Sequence, residues 1–278
     1  MTTTLTRLAS GFVLLEAARW LPEHGLVFSD MLGGGVYALR NDAAPTPLVE
    51  HRKGIGGLVP HAEGGLVVSG RNVTHKRADG TGVVLLETAE DEQFFNDLTA
   101  DSAGRLYIGS VPKDHENGFG RLYRLQTDGA VDVLAEDVRI TNGLAADPAG
   151  TALFHVDTPR KVVWRYALPG GERTDFVSTE AYPGVPDGLA LAADGTLFVA
   201  LAGGSLVVGF DPSGAVVAEI EVPARLVTSV CLGGEDLRTL FVLTGVNSEY
   251  PDPAGGSVFA MPAATAGLPA PAAAVRLA

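Results

Sequence analysis

Residues 187–201 read DGLALAADGTLFVAL: a polar lead, an apolar run, an Asp-Gly turn, and a second apolar run opened by Leu197. The same segment returns, nearly in phase, from one end of the chain to the other. Copies begin at Glu16 (EAARWLPEHGLVFSD), Gly56 (GGLVPHAEGGLVVSG), Asn96 (NDLTADSAGRLYIGS), Asn142 (NGLAADPAGTALFHVD), Asp187 and Ser229 (SVCLGGEDLRTLFVLT). Successive leads are 40, 40, 46, 45 and 42 residues apart. The Leu that opens the second run stands 10 residues after the lead in four copies, and 11 after it at Leu153 and Leu240. A period of 40 to 50 residues made of short strands is the mark of a β-propeller with one blade per repeat.

Each period continues as further short runs rich in Val, Leu, Phe and Tyr, bounded by Gly, Pro, Asp or Asn. In the third period these are LTAD, RLYIGS, RLYRL and VDVLAED. No run has helical periodicity, and the Ala-rich tail PAATAGLPAPAAA is interrupted by proline. The expectation is an all-β, six-bladed β-propeller with four-stranded antiparallel blades around a central tunnel. Six such repeats consume residues 1–278, so a single domain is expected. Either AVRLA at the C-terminus or LTRLAS at the N-terminus could supply the last strand of the sixth repeat.

Composition narrows the partners. A net charge of −13 argues against nucleic acid, which calls for a basic surface. Cys231 is the only cysteine, so no intramolecular disulfide can form, and it falls in an apolar run where an inert thiol is expected. The first twenty residues lack a secretory hydrophobic core, and no stretch is apolar enough to span a membrane. The expected setting is the cytoplasm, with no membrane partner.

The leads carry the chemistry. In a propeller the innermost strand of every blade runs along the axis, so equivalent positions converge on one channel. Glu16, Asn96, Asn142 and Asp187 are equivalent positions with side-chain oxygens. Two carboxylates and two carboxamides suit a divalent cation such as calcium, magnesium or manganese. Asn-Gly and Asp-Gly are also ordinary turn formers. Here, however, the turn is supplied some eight residues later, at Gly104, Gly150 and Gly195. HExxH, CxxC and GxSxG are absent.

As an ordered set, EAARW with FSDMLGGGVYAL, FNDLTADSAGRLYIGS with GRLYRL, TNGLAADPAGTALFHVD with VWRY, and PDGLALAADGTLFVA resemble the gluconolactonase, regucalcin and luciferin-regenerating-enzyme family. The resemblance covers most of residues 12–260. It implies one divalent metal, calcium first with manganese, magnesium or zinc as alternatives, held by Glu16, Asn142 and Asp187. Asn96 is then a fourth ligand or a substrate contact. It also implies hydrolysis of a small-molecule lactone or related ester by metal-activated water, with Asp187 as general base. Sugar-lactone-hydrolysing relatives carry an arginine two residues before the asparagine equivalent to Asn96; here that residue is Phe94, followed by Phe95. A substrate less polar than a sugar lactone is therefore expected. Arg71, Asn72 and His115, in loops near the leads, are the further candidates for substrate contact, and His155 is expected to be an interior histidine. The competing readings are a non-catalytic metal-binding propeller serving as a binding or regulatory module, and phosphotriester cleavage at the same site.

Overall fold

The computed structural model describes residues 4–40 and 43–277. Among these every ordered element is a strand, and no helix is long and apolar enough to cross a membrane. The chain forms two compact units. One comprises Met1–Lys53 with Thr179–Pro269, the other Gly54–Ser178 with Ala270–Ala278.

The second unit holds three four-stranded antiparallel sheets, each an up-and-down meander in chain order. They are β6 (Leu58–Pro60), β7 (Leu66–Val68), β8 (Asn72–Lys76) and β9 (Gly82–Glu87); β10 (Glu92–Ala100), β11 (Leu106–Pro112), β12 (Gly120–Leu125) and β13 (Val131–Val138); and β14 (Thr141–Ala146), β15 (Ala152–Asp157), β16 (Val162–Ala167) and β17 (Glu172–Ser178). Burial falls from the first strands of a sheet to the last. All seven residues of β11 are buried, whereas β13 is exposed or half-buried at every position but its last, Val138. This is why the inner runs read as continuous apolar segments and the outer ones as alternating. Val59, Val67 and Val73 of one sheet pack with Leu98, Leu106 and Ile108 of the next, and Ala273 and Val275 of the tail complete that cluster. The tail is tied down by backbone bonds from Ala273 N–H to Pro60 O, Ala274 N–H to Gly104 O and Arg276 N–H to Thr127 O.

The turn between the first two strands of a sheet is where glycine is required. Gly104 and Gly150 have φ of 80° and 67°, and their N–H groups close the turn onto Asp101 O and Asp147 O.

In the first unit, β2 (Leu15–Leu21), β3 (Gly25–Asp30), β4 (Val36–Leu39) and β5 (Thr46–Val49) form a fourth meander. The remaining strands are β1 (Thr6–Phe12), β18 (Val185–Leu191), β19 (Leu197–Ala202), β20 (Leu206–Phe210), β21 (Val216–Glu221), β22 (Leu226–Gly233), β23 (Thr239–Gly245) and β24 (Gly256–Pro262). These do not form two separate blades. They join into one eight-stranded sheet because Ala202 of β19 pairs with Leu226 of β22. Arg225 O reinforces the join by accepting from the N–H groups of Gly203 and Ser205.

The expectation of six separate four-stranded blades is thereby corrected. Among the described residues there are four such sheets, not six, and the fifth and sixth repeats share a single sheet. Pairing at that junction is between backbone groups, on which side-chain periodicity has no bearing. The fold remains all-β and propeller-like. The sixth repeat gains its last strand from the N-terminus, since β1 pairs antiparallel with β24 from Thr6–Ala260 to Phe12–Gly256.

Leu106 is fully buried in the second unit's core. Leu106→Ala is expected to cost about 2–5 kcal/mol of unfolding free energy, read from urea denaturation. A loss below about 0.5 kcal/mol, the range of surface substitutions, would show that this position is not core.

Candidate functional site

The strands that carry the leads share a defect in their ladders. Pairing slips between Glu16 and Arg19 of β2, Phe95 and Leu98 of β10, Thr141 and Leu144 of β14, Pro186 and Leu189 of β18, and Val227 and Ser229 of β22. Five of the six leads therefore lie in or beside β-bulges, which free a side chain from strict alternation and re-aim it, whereas Gly56 precedes β6, whose ladder is regular. Ala17, in the bulge of β2, takes φ of 59°, a left-handed conformation that costs a residue with a Cβ.

In the first unit β22 packs beside both β2 and β18. Ser229 Oγ accepts from Ala18 N–H (3.3 Å), and Thr228 Oγ1 donates to Leu15 O (2.5 Å). A Cβ on Gly188 would stand 2.7 Å from Thr228 O and 2.8 Å from Ser229 Cα, so the residue after Asp187 has no room for a side chain. Glu16 and Asp187 are 9% and 8% exposed, burial that a carboxylate tolerates only with compensation.

In the second unit Asn96 Nδ2 donates to Asn142 Oδ1 (2.6 Å) and to Thr141 O (2.8 Å). Asn142 Nδ2 donates in turn to Thr158 Oγ1 (2.8 Å). Gly56, the lead of the second copy, is small for a reason: a Cβ there would be 2.3 Å from Asn96 Oδ1. The Asn96 carboxamide occupies the space that a side chain at position 56 would need.

The four candidate ligands can be tested against a cation by their donor chemistry. No three His, Cys, Asp or Glu side chains gather into a metal-holding group among the described residues. The candidates are instead two buried carboxylates and two carboxamides, all oxygen donors of the kind a hard divalent ion takes. Asn142 Oδ1 accepts from Asn96, but an amide oxygen has two lone pairs and keeps one for a cation. The donor set fits.

The candidates for substrate contact are brought together in the second unit. Gly70 and Phe95 exchange two backbone bonds (3.1 and 2.8 Å), which sets Arg71 opposite Phe94 across that bridge. Arg71 is exposed, while Phe94 and Asn72 are half-buried. Asn72 Oδ1 accepts from Thr74 Oγ1 (2.7 Å). Exposed His115 reaches the same place, its Nε2 standing 2.7 Å from Gln93 Oε1. Phe95 corrects the sequence reading of an aromatic pair: it is fully buried, edge-on to Tyr123, and adds no surface to a site.

His155 is interior, with no exposed surface and its Nε2 3.0 Å from Thr141 Oγ1. Burial pushes its imidazole down to about 3. Cys231 is likewise buried, and burial raises its thiol to about 12, which leaves it unreactive.

Five buried carboxylates, Asp30, Asp157, Glu92, Asp97 and Asp101, escaped the sequence reading, and all accept hydrogen bonds from the framework. Asp30 accepts from the N–H groups of Val13, Leu14 and Gly33. Asp157 accepts from Arg139 N–H (3.0 Å) and from the Arg160 guanidinium (2.7 Å). Glu92 accepts from Ser110 Oγ (2.6 Å), Tyr123 Oη (2.7 Å) and Ala89 N–H (2.9 Å). The signal for the first two is an Asp ending an otherwise apolar second run, in FSD and HVD.

Successive four-stranded meanders with bulged, polar-led inner strands define an all-β protein of propeller type. The chain belongs to the SMP-30/gluconolactonase/LRE-like family, whose model matches residues 14–246. It is 30% identical to a pentonolactonase of Haloferax volcanii, covering 96% of this chain and 97% of that protein. It is 32% identical to a 6-deoxy-6-sulfogluconolactonase of Pseudomonas putida, covering 89% and 90% respectively. A solved structure described as a calcium-binding protein, regucalcin, from Agrobacterium tumefaciens matches its fold with a TM-score of 0.86 at 23% identity, over 97% of each chain.

The His155 shift has a sign that can be checked. The unfolded chain protonates this imidazole near its ordinary value of about 6.5, the folded chain only near 3. The stability contributed by the neutral ring is present above pH ~6.5 and is lost as pH falls toward 3, by up to about 1.4 kcal/mol per pH unit. Urea denaturation between pH 7.5 and 5 is expected to show this loss, and His155→Gln to reduce it. An unchanged pH slope in the variant would remove His155 as its source.

Proposed function

We propose that this protein is a divalent-metal-dependent hydrolase that opens a lactone or related ester. The observation that carries the reading is the family match over residues 14–246, which contains all four polar leads. The names of the relatives from Haloferax volcanii and Pseudomonas putida support lactones as the substrate class. The description of the Agrobacterium tumefaciens neighbour supports calcium as the ion.

In this proposal Glu16, Asn142 and Asp187 hold the cation. Bound there, it would supply a Lewis acid for the lactone carbonyl and lower the pKa of a water. The remaining work belongs to the chain. Asp187 takes the proton of the attacking water at its carboxylate and returns it to the ring oxygen as the acyl carbon–oxygen bond breaks, leaving a hydroxy acid. Asn96 acts through Asn142: its amide hydrogens go to Asn142 Oδ1 and Thr141 O, which turns the Asn142 carboxamide and orders its oxygen. Phe94, with Arg71, Asn72 and His115 around it, lines the substrate side. The absence of an arginine at position 94 favours a substrate with fewer hydroxyls than a sugar lactone. The whole chain acts as one domain, in the cytoplasm.

A second reading keeps the ion and drops the chemistry, making the protein a calcium-binding module; the neighbour's description favours it. The two separate in one experiment. The purified protein is assayed against a panel of sugar, alkyl and aryl lactones, before and after chelation and on readdition of calcium or manganese. Hydrolysis that chelation abolishes and metal restores is expected, with alkyl or aryl lactones ahead of glucono-1,5-lactone. Metal binding without turnover of any member would establish the module instead. Asp187→Ala is expected to lose both bound metal, measured by elemental analysis, and turnover, by at least ~100-fold, the lower end for a general base. Full activity in that variant would remove Asp187 from the mechanism.

A further inference from the structure

A cavity of about 340 Å³ lies in the first unit, lined among others by Ser205, Arg225, Gly245, Tyr250 and Asp252. That volume is in the range of small-ligand sites. Its position follows from the strands that end at it. Arg225 immediately precedes β22, the strand of Ser229. Gly245 ends β23 and pairs with Leu14, the residue before β2 and two before Glu16. Ser205 follows the end of β19, whose Ala202 and Leu201 pair with Val185 and Pro186, next to Asp187. The cavity therefore opens at the end of the strands where Glu16 and Asp187 stand.

Arg225 gives this cavity its character. Five arginines are neutralised by carboxylates: Arg105 by Asp101, Arg121 by Asp91 and Glu92, Arg124 by Asp132, Arg160 by Asp157, and Arg173 by Asp137. Arg225 is exposed and forms no ion pair among the described residues. Its Nε donates to Gly203 O (3.2 Å), and its Cζ stands 5.4 Å from the centre of the Tyr250 ring. Tyr250 sits against Gly203, where a Cβ would come within 2.8 Å of its Oη. The guanidinium is thus braced on one edge by a carbonyl and against an aromatic face, with both terminal nitrogens left to donate. Asp252 faces the same cavity, but its Oδ1 accepts from Ala254 N–H (2.8 Å), which commits part of the carboxylate to its own turn. Its other oxygen is left as an acceptor for a hydroxyl.

We propose that this cavity receives an anionic substituent of the substrate, a carboxylate, sulfonate or phosphate, paired with the Arg225 guanidinium held against Tyr250, and that these two residues set specificity for charged lactones. A braced guanidinium fork matches the geometry of such oxyanions and loses little freedom on binding them. The inference rests on the lactone-hydrolase reading and names the class of substrate at its site. It is compatible with few ring hydroxyls, because here recognition is by charge.

The test compares two lactones that differ only in a side-chain carboxylate or its neutral carboxamide. The expected ratio of kcat/KM, acid over amide, favours the acid in the wild type. It falls ~10- to 100-fold in Arg225→Gln, through KM rather than kcat, as loss of a charge-assisted hydrogen bond implies. Arg225→Lys is expected to recover part of the ratio, and added salt to compress it in the wild type only. Sulfonate and phosphate counterparts then rank the anions. A ratio near one in the wild type, or one unchanged by Arg225→Gln, overturns the proposal. If neither lactone is hydrolysed, the lactonase reading fails, and calorimetry with the ring-opened acids still decides the inference. Binding of the extra carboxylate that Arg225→Gln weakens ~10-fold or more supports it, and equal binding to both proteins overturns it.

Discussion

The slip in the ladder at the start of the inner strands is the constraint on which the site depends. A regular strand sends successive side chains to opposite faces, and a polar lead followed by apolar residues could not serve both a packed sheet and a solvent-facing site. The bulges at Glu16–Arg19, Phe95–Leu98, Thr141–Leu144 and Pro186–Leu189 separate the two demands. Beyond each slip the strand resumes its register and buries Leu21, Leu98, Leu144 or Leu189. At the slip the chain is released from pairing, and the lead takes its direction from neighbouring inner strands.

Those neighbours hold the leads by different means in the two units. In the second unit the connection is made by side chains, Asn96 to Asn142 to Thr158, with glycine at position 56 as the complement to the Asn96 carboxamide. In the first it is made by Ser229 and Thr228 bonding to the backbone around Glu16. Small leads at Gly56 and Ser229 are therefore parts of the support for polar ones. Charge is arranged in a parallel way. The framework carboxylates Asp30, Asp157 and Glu92 are saturated by backbone amides, hydroxyls and arginines, so their burial is compensated within the fold.

Much of this was legible in the sequence. The positions of strands, of the Gly104 and Gly150 turns and of the leads follow from apolar periodicity and from residues whose conformational needs are local. What was not legible depends on backbone pairing or on volume. The Ala202–Leu226 junction that merges two repeats into one sheet involves main-chain groups common to all residues. Phe95 reads as the twin of Phe94, yet the two fall on opposite sides of one strand, one in the core and one half-buried. Arg225 lies four residues before a lead, in a connection with no motif, and it is the cavity and the Tyr250 ring beside it that mark it out.

The pairing of β1 with β24 bears on how the chain comes to be folded on the ribosome. Thr6 faces Ala260, so β1 is synthesised well before its partner β24 has emerged. Until then an exposed strand edge must be kept from other chains, and the Arg7 charge and Gly11 of TRLASGF make it a poor template for aggregation. The three meanders of residues 58–178 close on near neighbours in sequence and need no such delay. Vectorial synthesis thus delivers the local sheets first and the long-range seam last.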